Sequence, residues 1–317
     1  MRPEIAEPPE PELQSISSAV MSLSRATREL IRASLSKATQ RAYKADLQHF
    51  RTWGGFVPSN APQVALYLAD HASALSVATL RRRLASIAKA HAGSGYPNPV
   101  DSEAVRMTLR GIRRTNGKPQ RQARPLETAD LLRIAGDAKS AQEIRDQALL
   151  LLGFAGAFRR SELVALDVED LEFIEEGVLV TLRRSKTDQN GTGRKVPIPF
   201  ARGSVCPVRA LRRWLEFAST VSGPIFRSIT KTGRILPGRL TAQSVALILK
   251  KRAKRLGLPV DRISGHSLRS GFVTSAAKAG ASIAKISGQT GHRSAETVMR
   301  YIRDADFFTD HPLSRLL

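Results

Sequence analysis

Between Thr115 and Pro125 the chain reads Thr-Asn-Gly-Lys-Pro-Gln-Arg-Gln-Ala-Arg-Pro, and a single hydrophobic core cannot run through it. Two prolines and a glycine break any helix, and the segment is almost devoid of apolar side chains. The pattern predicts a linker at 116–125. With 317 residues, the chain on each side is long enough to bury a core of its own. We therefore expect one domain at 31–115 and a second at 126–317. The opening Pro-Glu-Ile-Ala-Glu-Pro-Pro-Glu-Pro-Glu cannot build a core, so 1–30 reads as a disordered acidic tail.

From Ser36 to Arg114 the apolar period is helical throughout. Thr39–Trp53 sets Tyr43, Leu47, Phe50 and Trp53 on one stripe. Pro62–Ala72 begins on a proline, which a first helical turn tolerates. Ser76–Ala92 turns Val77, Leu80, Leu84, Ile87 and Ala88 inward, and Asp101–Arg114 does the same with Val105, Leu109 and Ile112. The polar faces carry Arg41, Lys44, Arg81, Arg82, Arg83, Lys89, Arg106, Arg110, Arg113 and Arg114.

Those cations belong to a general excess. The 50 Lys and Arg outnumber 28 Asp and Glu, for a formal charge of +22, and the commonest partner of such a surface is nucleic acid. A charge run by itself is a solvated face, so the excess names a partner class and no mechanism. Arg121 and Arg124 would suit a linker crossing a phosphate backbone. The single cysteine, Cys206, excludes a disulfide within the chain and zinc sites built on Cys pairs, and reads as a small buried hydrophobe. No apolar run approaches a membrane span, and the N-terminus lacks the plan of a secretory signal. Neither a Walker-type loop nor an Asp-Asp-Glu triad is evident, which weakens ATP-driven and metal-dependent readings.

In the second domain Thr128-Ala-Asp130 opens a helix and Glu143–Phe154 makes another. The period then changes. Leu171-Glu-Phe-Ile, Val178–Arg183 and Lys195–Pro199 alternate as strands, with Asn190-Gly191 as a turn and two prolines that suit only an edge. Pro207–Ala218 and Thr241–Leu256 are amphipathic helices, and 224–238 between them reads as loop. Beyond Tyr301 the chain ends in an apolar segment with Phe307, Phe308, Leu313, Leu316 and Leu317.

The chemistry concentrates in 264–303. His266 and Arg269 stand three apart on one helix face, where Ser264 or Ser267 can cap the start. His292 follows a glycine just ahead of another helix, and Tyr301 lies nine residues on, beside Val298 and Ile302. Helix starts, histidines and an arginine bind phosphate, and a phenol among them can receive a phosphoryl group. Taken singly, a Tyr on an apolar stripe is core. Upstream, Gly156-Ala-Phe-Arg159-Arg160-Ser-Glu162-Leu163 puts Glu162 in reach of the Arg159 guanidinium, with Arg160 the rival arginine. Lys186 sits at the hairpin end, where most lysines only face solvent, and Lys195 is its alternative.

In order, Arg-x-x-Glu, a hairpin Lys, His-x-x-Arg, Gly-His and Tyr resemble the tyrosine recombinase (phage integrase) family over roughly residues 36–310. The first box departs from the family's pattern in having Phe158 and Arg160 where aliphatic residues are usual. The resemblance implies a mainly α fold with a small antiparallel β-sheet (α+β), an N-terminal four- to five-helix core-binding domain and a C-terminal catalytic domain, closing as a C-shaped clamp on DNA. It implies a site-specific recombinase whose catalytic set is Arg159, Glu162, Lys186, His266, Arg269, His292 and the nucleophile Tyr301. DNA contacts would come from Arg41, Lys44, Arg81, Arg82, Arg83, Lys89, Arg106, Arg110, Arg121 and Arg124. No cofactor and no metal are expected. The partners implied are double-stranded DNA at specific sites and three further copies, a homo-tetramer joined through the C-terminal segment, in a bacterial or phage-derived cytoplasm at the nucleoid. A type IB topoisomerase and an inactive DNA-binding relative are the competing readings.

Overall fold

A computed structural model describes residues 27, 29–30, 33–117, 123–183, 193–203, 205–292 and 294–305, the side chains of 300 and 302–305 excepted. The chain divides into two compact units, Met1–Gln120 and Arg121–Leu317.

The core of the first unit is built from α1 (Lys37–Trp53), α2 (Ala61–Asp70), α3 (Val77–Gly93) and α4 (Glu103–Asn116), and Thr27, Glu29, Leu30 and Ala33 ahead of them are also helical. Each of α1 to α4 starts at a Ser or Asn (Ser36, Asn60, Ser76, Ser102) whose side-chain oxygen accepts a backbone N–H three residues on. Phe50, Tyr67, Leu68, Leu80, Leu84, Ile87, Val105 and Ile112 form the core. One of the cations read as DNA contacts is committed elsewhere. Arg83 is 8% exposed, and its Nη1 donates to the Tyr67 hydroxyl at 3.0 Å inside the bundle. Its neighbour Arg82 grips the buried Asp46 carboxylate with two hydrogen bonds of 2.8 Å while its side chain stays exposed. Three consecutive arginines sweep about 200° around a helix, so one of them must face its interior. The pairing has a reason in Asp46: burial would raise its pKa, but bonds from Arg82 and Ser86 hold it below the usual carboxylate value. Arg41, Lys44, Arg81, Lys89, Arg106 and Arg110 are exposed, with Arg106 paired to Glu103.

Asn116 closes α4, and Arg124 N–H already donates to Arg262 O at 2.8 Å, so both ends of the expected linker are structured and 118–122 lie outside the described residues. Arg121 falls in that gap. In the second unit α5 (Thr128–Ala135) and α6 (Ala141–Ala155) come first. α6 starts in a Ser140/Glu143 capping box, and from Ala148 to Gly153 it is apolar and buried on every side, at the centre of the core. α7 (Arg160–Ala165) leads into an antiparallel sheet of order β1 (Leu171–Ile174), β2 (Gly177–Leu182), β3 (Arg194–Pro199). β3 is an edge strand, which accommodates Pro197 and Pro199.

After α8 (Pro207–Phe217) the stretch read as loop contains a second hairpin, β4 (Arg227–Ile229) and β5 (Ile235–Arg239). Its Pro237 and Gly238 disguised it, and two strands leave every position an edge. α9 (Ala242–Arg255), α10 (Ser267–Lys278), α11 (Ile283–Thr290) and α12 (Ala295–Ala305) complete the unit. Cys206 is buried at the start of α8. A small separate core of Val273, Ile286 and Val298, with Tyr301 packed on it, joins α10, α11 and α12.

Candidate active site

The site is built on three backbone breaks. Gly156 and Ala157 end α6, and Ala157 takes a left-handed φ of 47°, unusual for a residue with a Cβ. That turn aims the Ala157 carbonyl at Arg269, whose Nη1 donates to it at 2.8 Å. It also delivers Arg159 to the cap position of α7. There the Arg159 N–H donates to Glu162 Oε2 (2.9 Å) and Nη1 to Oε1 (2.6 Å). Glu162 is 5% exposed and Arg269 1%. Arg160 points away: it is exposed, and its stem covers Gly265, where a Cβ would meet Arg160 Cδ.

His266 caps α10 and is exposed, its N–H donating to Ser264 Oγ at 3.1 Å. Ser264 N–H in turn donates to Ser267 Oγ (3.0 Å), so the two serines lock the turn before the helix. His266 and Arg269 therefore share a helix end but not an environment, one wet and one buried. α11 stops at Gly291 with φ of 68°, a conformation that favours glycine, and the turn presents His292. His292 Nδ1 lies 2.8 Å from the hydroxyl of Thr290, which is wholly buried. The Thr290 hydroxyl also lies 2.8 Å from Ile286 O. Donating its one proton there, it accepts from Nδ1–H and leaves Nε2 unprotonated. The Tyr301 ring is 6.4 Å from the His292 ring, centre to centre.

Electrostatically the cluster is one-sided. Three guanidiniums, of Arg159, Arg194 and Arg269, act on one another and share, among the described residues, a single buried carboxylate, Glu162. Burial, then Arg159, pull the Arg269 pKa down to about 10, while Glu162 opposes the shift, so the group stays charged at neutral pH. Burial, then Arg269, Arg159, His266 and Arg194, push His292 down to about 4 and hold it neutral. Arg269 Nε and Nη2 and Arg194 Nη2 are buried without hydrogen-bond partners among the described residues. A surplus of positive charge with idle donors suits an anion.

Of the expected set, the structure gathers Arg159, Glu162, Arg269, His292 and Tyr301, with His266 at the rim. Lys186 lies outside the described residues. Its alternative, Lys195, is exposed on the outer face of β3, paired to Glu172 at 2.9 Å. Sequence reasoning missed Thr290, the Ala157 carbonyl and Arg194. Only Arg194 had a readable signal: it shares the inward strand face with Val196 and Ile198. Among the described residues no three His, Cys, Asp or Glu side chains converge as metal ligands, and no helix is long and apolar enough to cross a membrane.

Residues 124–306, more than half of the chain, match the model of the phage integrase family. An "Integrase/recombinase xerD homolog" of Selenomonas ruminantium is 38% identical over 305 residues, covering 93% of this chain and 89% of the relative. "Recombinase cre" of Escherichia phage P1 is 27% identical over 276 residues, covering 81% and 78%. Among solved structures, a lambda integrase dimer bound to a COC′ core site shares the fold, with a TM-score of 0.63 at 16% identity over 90% of this chain and 77% of that one. Family match, near-complete coverage by a relative and a shared fold agree: this chain belongs to the phage integrase family and is a tyrosine recombinase, an enzyme of site-specific recombination.

Proposed function

We propose that the protein cuts and rejoins double-stranded DNA at specific sites through a covalent link to Tyr301. The Tyr301 oxygen attacks the phosphorus and the P–O5′ bond breaks, leaving a 3′-phosphotyrosyl ester and a free 5′-hydroxyl. Arg159 and Arg269 bind the non-bridging oxygens, joined by His292 once the bound phosphate has raised its pKa and put a proton on Nε2; His266 is a hydrogen-bonding or proton-accepting partner, and Glu162 orients Arg159. Lys186 protonates the leaving 5′-oxygen. A 5′-hydroxyl from a second duplex then attacks the ester and releases Tyr301. One phosphate ester replaces another of similar energy, so the exchange needs no ATP, and repeated on the second strands it passes through a Holliday junction.

The observation that carries this reading is the buried positive surplus beside Tyr301. A phenol has a reference pKa near ~10 and is a poor nucleophile at neutral pH. Fixed cations that neutralise charge growing on the phosphorane-like transition state are the strongest lever available to such a site. Exposed cations of the first unit, among them Arg41, Lys44, Arg81, Arg82, Lys89, Arg106 and Arg110, are then backbone contacts that hold the duplex.

Four copies would act together, each receiving a neighbour's apolar end. Supporting this, the second unit has an apolar groove of about 660 Å³ lined by Leu132, Phe154, Ile174, Phe272, Ala276 and Ile286. The segment that would fill it, with Phe307, Phe308, Leu313, Leu316 and Leu317, lies outside the described residues. A DNA substrate is in keeping with action in the cytoplasm, at the nucleoid.

The test is capture. The protein is incubated with fragmented DNA of its host, covalent adducts are isolated under denaturing conditions, and the attached DNA is sequenced. One recurring sequence with its 3′-phosphate on Tyr301 is expected, and Tyr301→Phe should keep DNA affinity but give no adduct. An adduct formed by Tyr301→Phe, or none by the parent protein, overturns the reading.

A further inference from the structure

Arg194 opens β3, opposite Leu182 on β2. The strand's alternation turns it inward with the buried Val196 and Ile198, while Lys195 faces solvent. From there its Nη1 donates to Gln289 O (3.0 Å) and Gly288 O (3.3 Å), at the end of α11, where unpaired carbonyls and the negative dipole end attract a cation. The guanidinium lies against the Gly291 turn, where a Cβ would come within 2.9 Å of Nε, next to His292. Gln289 braces the same junction, its Nε2 donating to Pro197 O (3.0 Å) and Ala155 O (2.8 Å).

This anchoring uses one nitrogen and leaves another idle. Arg194 Nη2 is buried and has no partner among the described residues, as have Arg269 Nε and Nη2. Buried N–H donors almost always find an acceptor, and three idle donor nitrogens on guanidiniums that share one carboxylate call for a ligand with several anionic oxygens. We propose that Arg194 is a further phosphate ligand of the site, held on α11 by Nη1 so that Nη2 meets a non-bridging oxygen of the phosphodiester attacked by Tyr301. The assignment rests on the recombinase reading above and adds a third arginine to it.

The experiment uses the full-length protein and the duplex recovered by adduct capture, made in two forms. One carries the natural phosphodiester at the cleaved position. The other carries a methylphosphonate, in which a methyl group replaces a non-bridging oxygen and the negative charge is gone. Single-turnover adduct rates are compared for the parent, Arg194→Gln and Arg194→Ala. Glutamine keeps an N–H for the α11 carbonyls and removes only the charge. Because each comparison sets two rates from one preparation against each other, a loss of folded protein cancels.

Both variants should slow adduct formation on the phosphodiester by roughly tenfold to a hundredfold. On the methylphosphonate the gap to the parent should close to about threefold or less, since a charge that is absent needs no cation. An equal loss on both substrates would make Arg194 a structural brace. Parent rates on both would give it no part, and either result overturns the proposal. No adduct from the parent protein on the natural duplex defeats the recombinase reading itself, and this one with it.

Discussion

Arg269 and Ala157 are tied by one hydrogen bond, 2.8 Å from Nη1 to the carbonyl oxygen, and the residue that accepts it sits in a left-handed conformation at φ 47°. A buried guanidinium is thus held by a carbonyl that only a strained turn can aim. Glycine adopts that conformation freely, whereas a Cβ there costs on the order of 1 kcal/mol. Ala157→Gly should therefore raise stability against urea by about 0.5–1 kcal/mol, with the adduct rate close to the parent's. A loss of stability would mean that the turn is held by the Ala157 methyl group, which is wholly buried.

Arg269 itself is placed at the expense of stability. Two of its nitrogens are buried without a partner, and it is pressed against other guanidiniums. Exchanging such a group for an apolar one of similar length is often neutral or stabilising by about 1–4 kcal/mol. Here the orphaned Ala157 carbonyl takes back roughly 1 kcal/mol. Arg269→Met should then unfold at the parent's urea concentration or higher, while adduct formation falls by about a hundredfold or more. A variant that is both inactive and strongly destabilised would show Arg269 to be a structural ion rather than a ligand in waiting.

Much of this site was legible because its parts are close in sequence. His-x-x-Arg and Gly-His-…-Tyr are local spacings on helices, and a period of 3.6 carries them into space. Arg159 and Glu162 likewise meet within one turn, at 2.6 Å. Long-range partners were not legible. Nothing in Ala157 announces a left-handed backbone, since alanine is a helix former, and Thr290 looks like any polar residue at a helix end. Arg83 departs from expectation for the opposite reason: a charge implies exposure, but Tyr67 and His49 offer this one partners inside.

His292 gives the site a pH signature. Its folded pKa is pulled down to about 4, against an ordinary value of 6.5, by burial and by the arginines around it. Between those values the unfolded chain binds a proton that the folded chain refuses. Stability from this residue is therefore complete above pH 6.5, falls as pH drops through the window, and levels off near 4, a total of up to about 3 kcal/mol. Urea unfolding of the parent and of His292→Gln at pH 7, 5.5 and 4.5 isolates the effect, because the carboxylates titrate alike in both. The variant should lose less stability than the parent on going from pH 7 to 4.5. Parallel curves would mean that His292 is not shielded as its surroundings require. Bound DNA should shift the window upward, since a phosphate cancels the repulsion that keeps the ring neutral.

Among the described residues Glu162 is the lone carboxylate beside these guanidiniums, and it makes the opposite case. It accepts both the N–H and the Nη1 of Arg159. Glu162→Gln keeps the shape and one acceptor oxygen but removes the only buried negative charge described in the cluster. Breaking a buried ion pair from one side costs about 3–5 kcal/mol, and the amide recovers a part of it. We expect a loss of roughly 2 kcal/mol in urea unfolding, together with an adduct rate down about tenfold or more. Stability equal to the parent's would mean that Arg159 finds another partner when the carboxylate is gone.

Gly271 tests whether the segment entering the second unit fixes the helix that carries Arg269. Leu126 is wholly buried and its N–H donates to Ser267 O at 3.0 Å, so the chain runs directly across α10. It can do so because position 271 has no side chain: a Cβ there would collide with the Leu126 backbone, meeting the carbonyl oxygen first. In a free helix Gly→Ala stabilises by about 1 kcal/mol. A clash with backbone, which cannot swing aside as a side chain can, costs about 1–3 kcal/mol or more and must either lift the crossing segment or rotate α10. The clash should win, with Gly271→Ala less stable by roughly 1–2 kcal/mol. Because Arg269 lies two residues away on the same helix, the adduct rate should fall as well, although the substituted position faces away from solvent and cannot touch DNA. A Gly271→Ala protein as stable as the parent and as fast would show that the crossing segment yields, and that α10 takes its position from α6, α11 and α12.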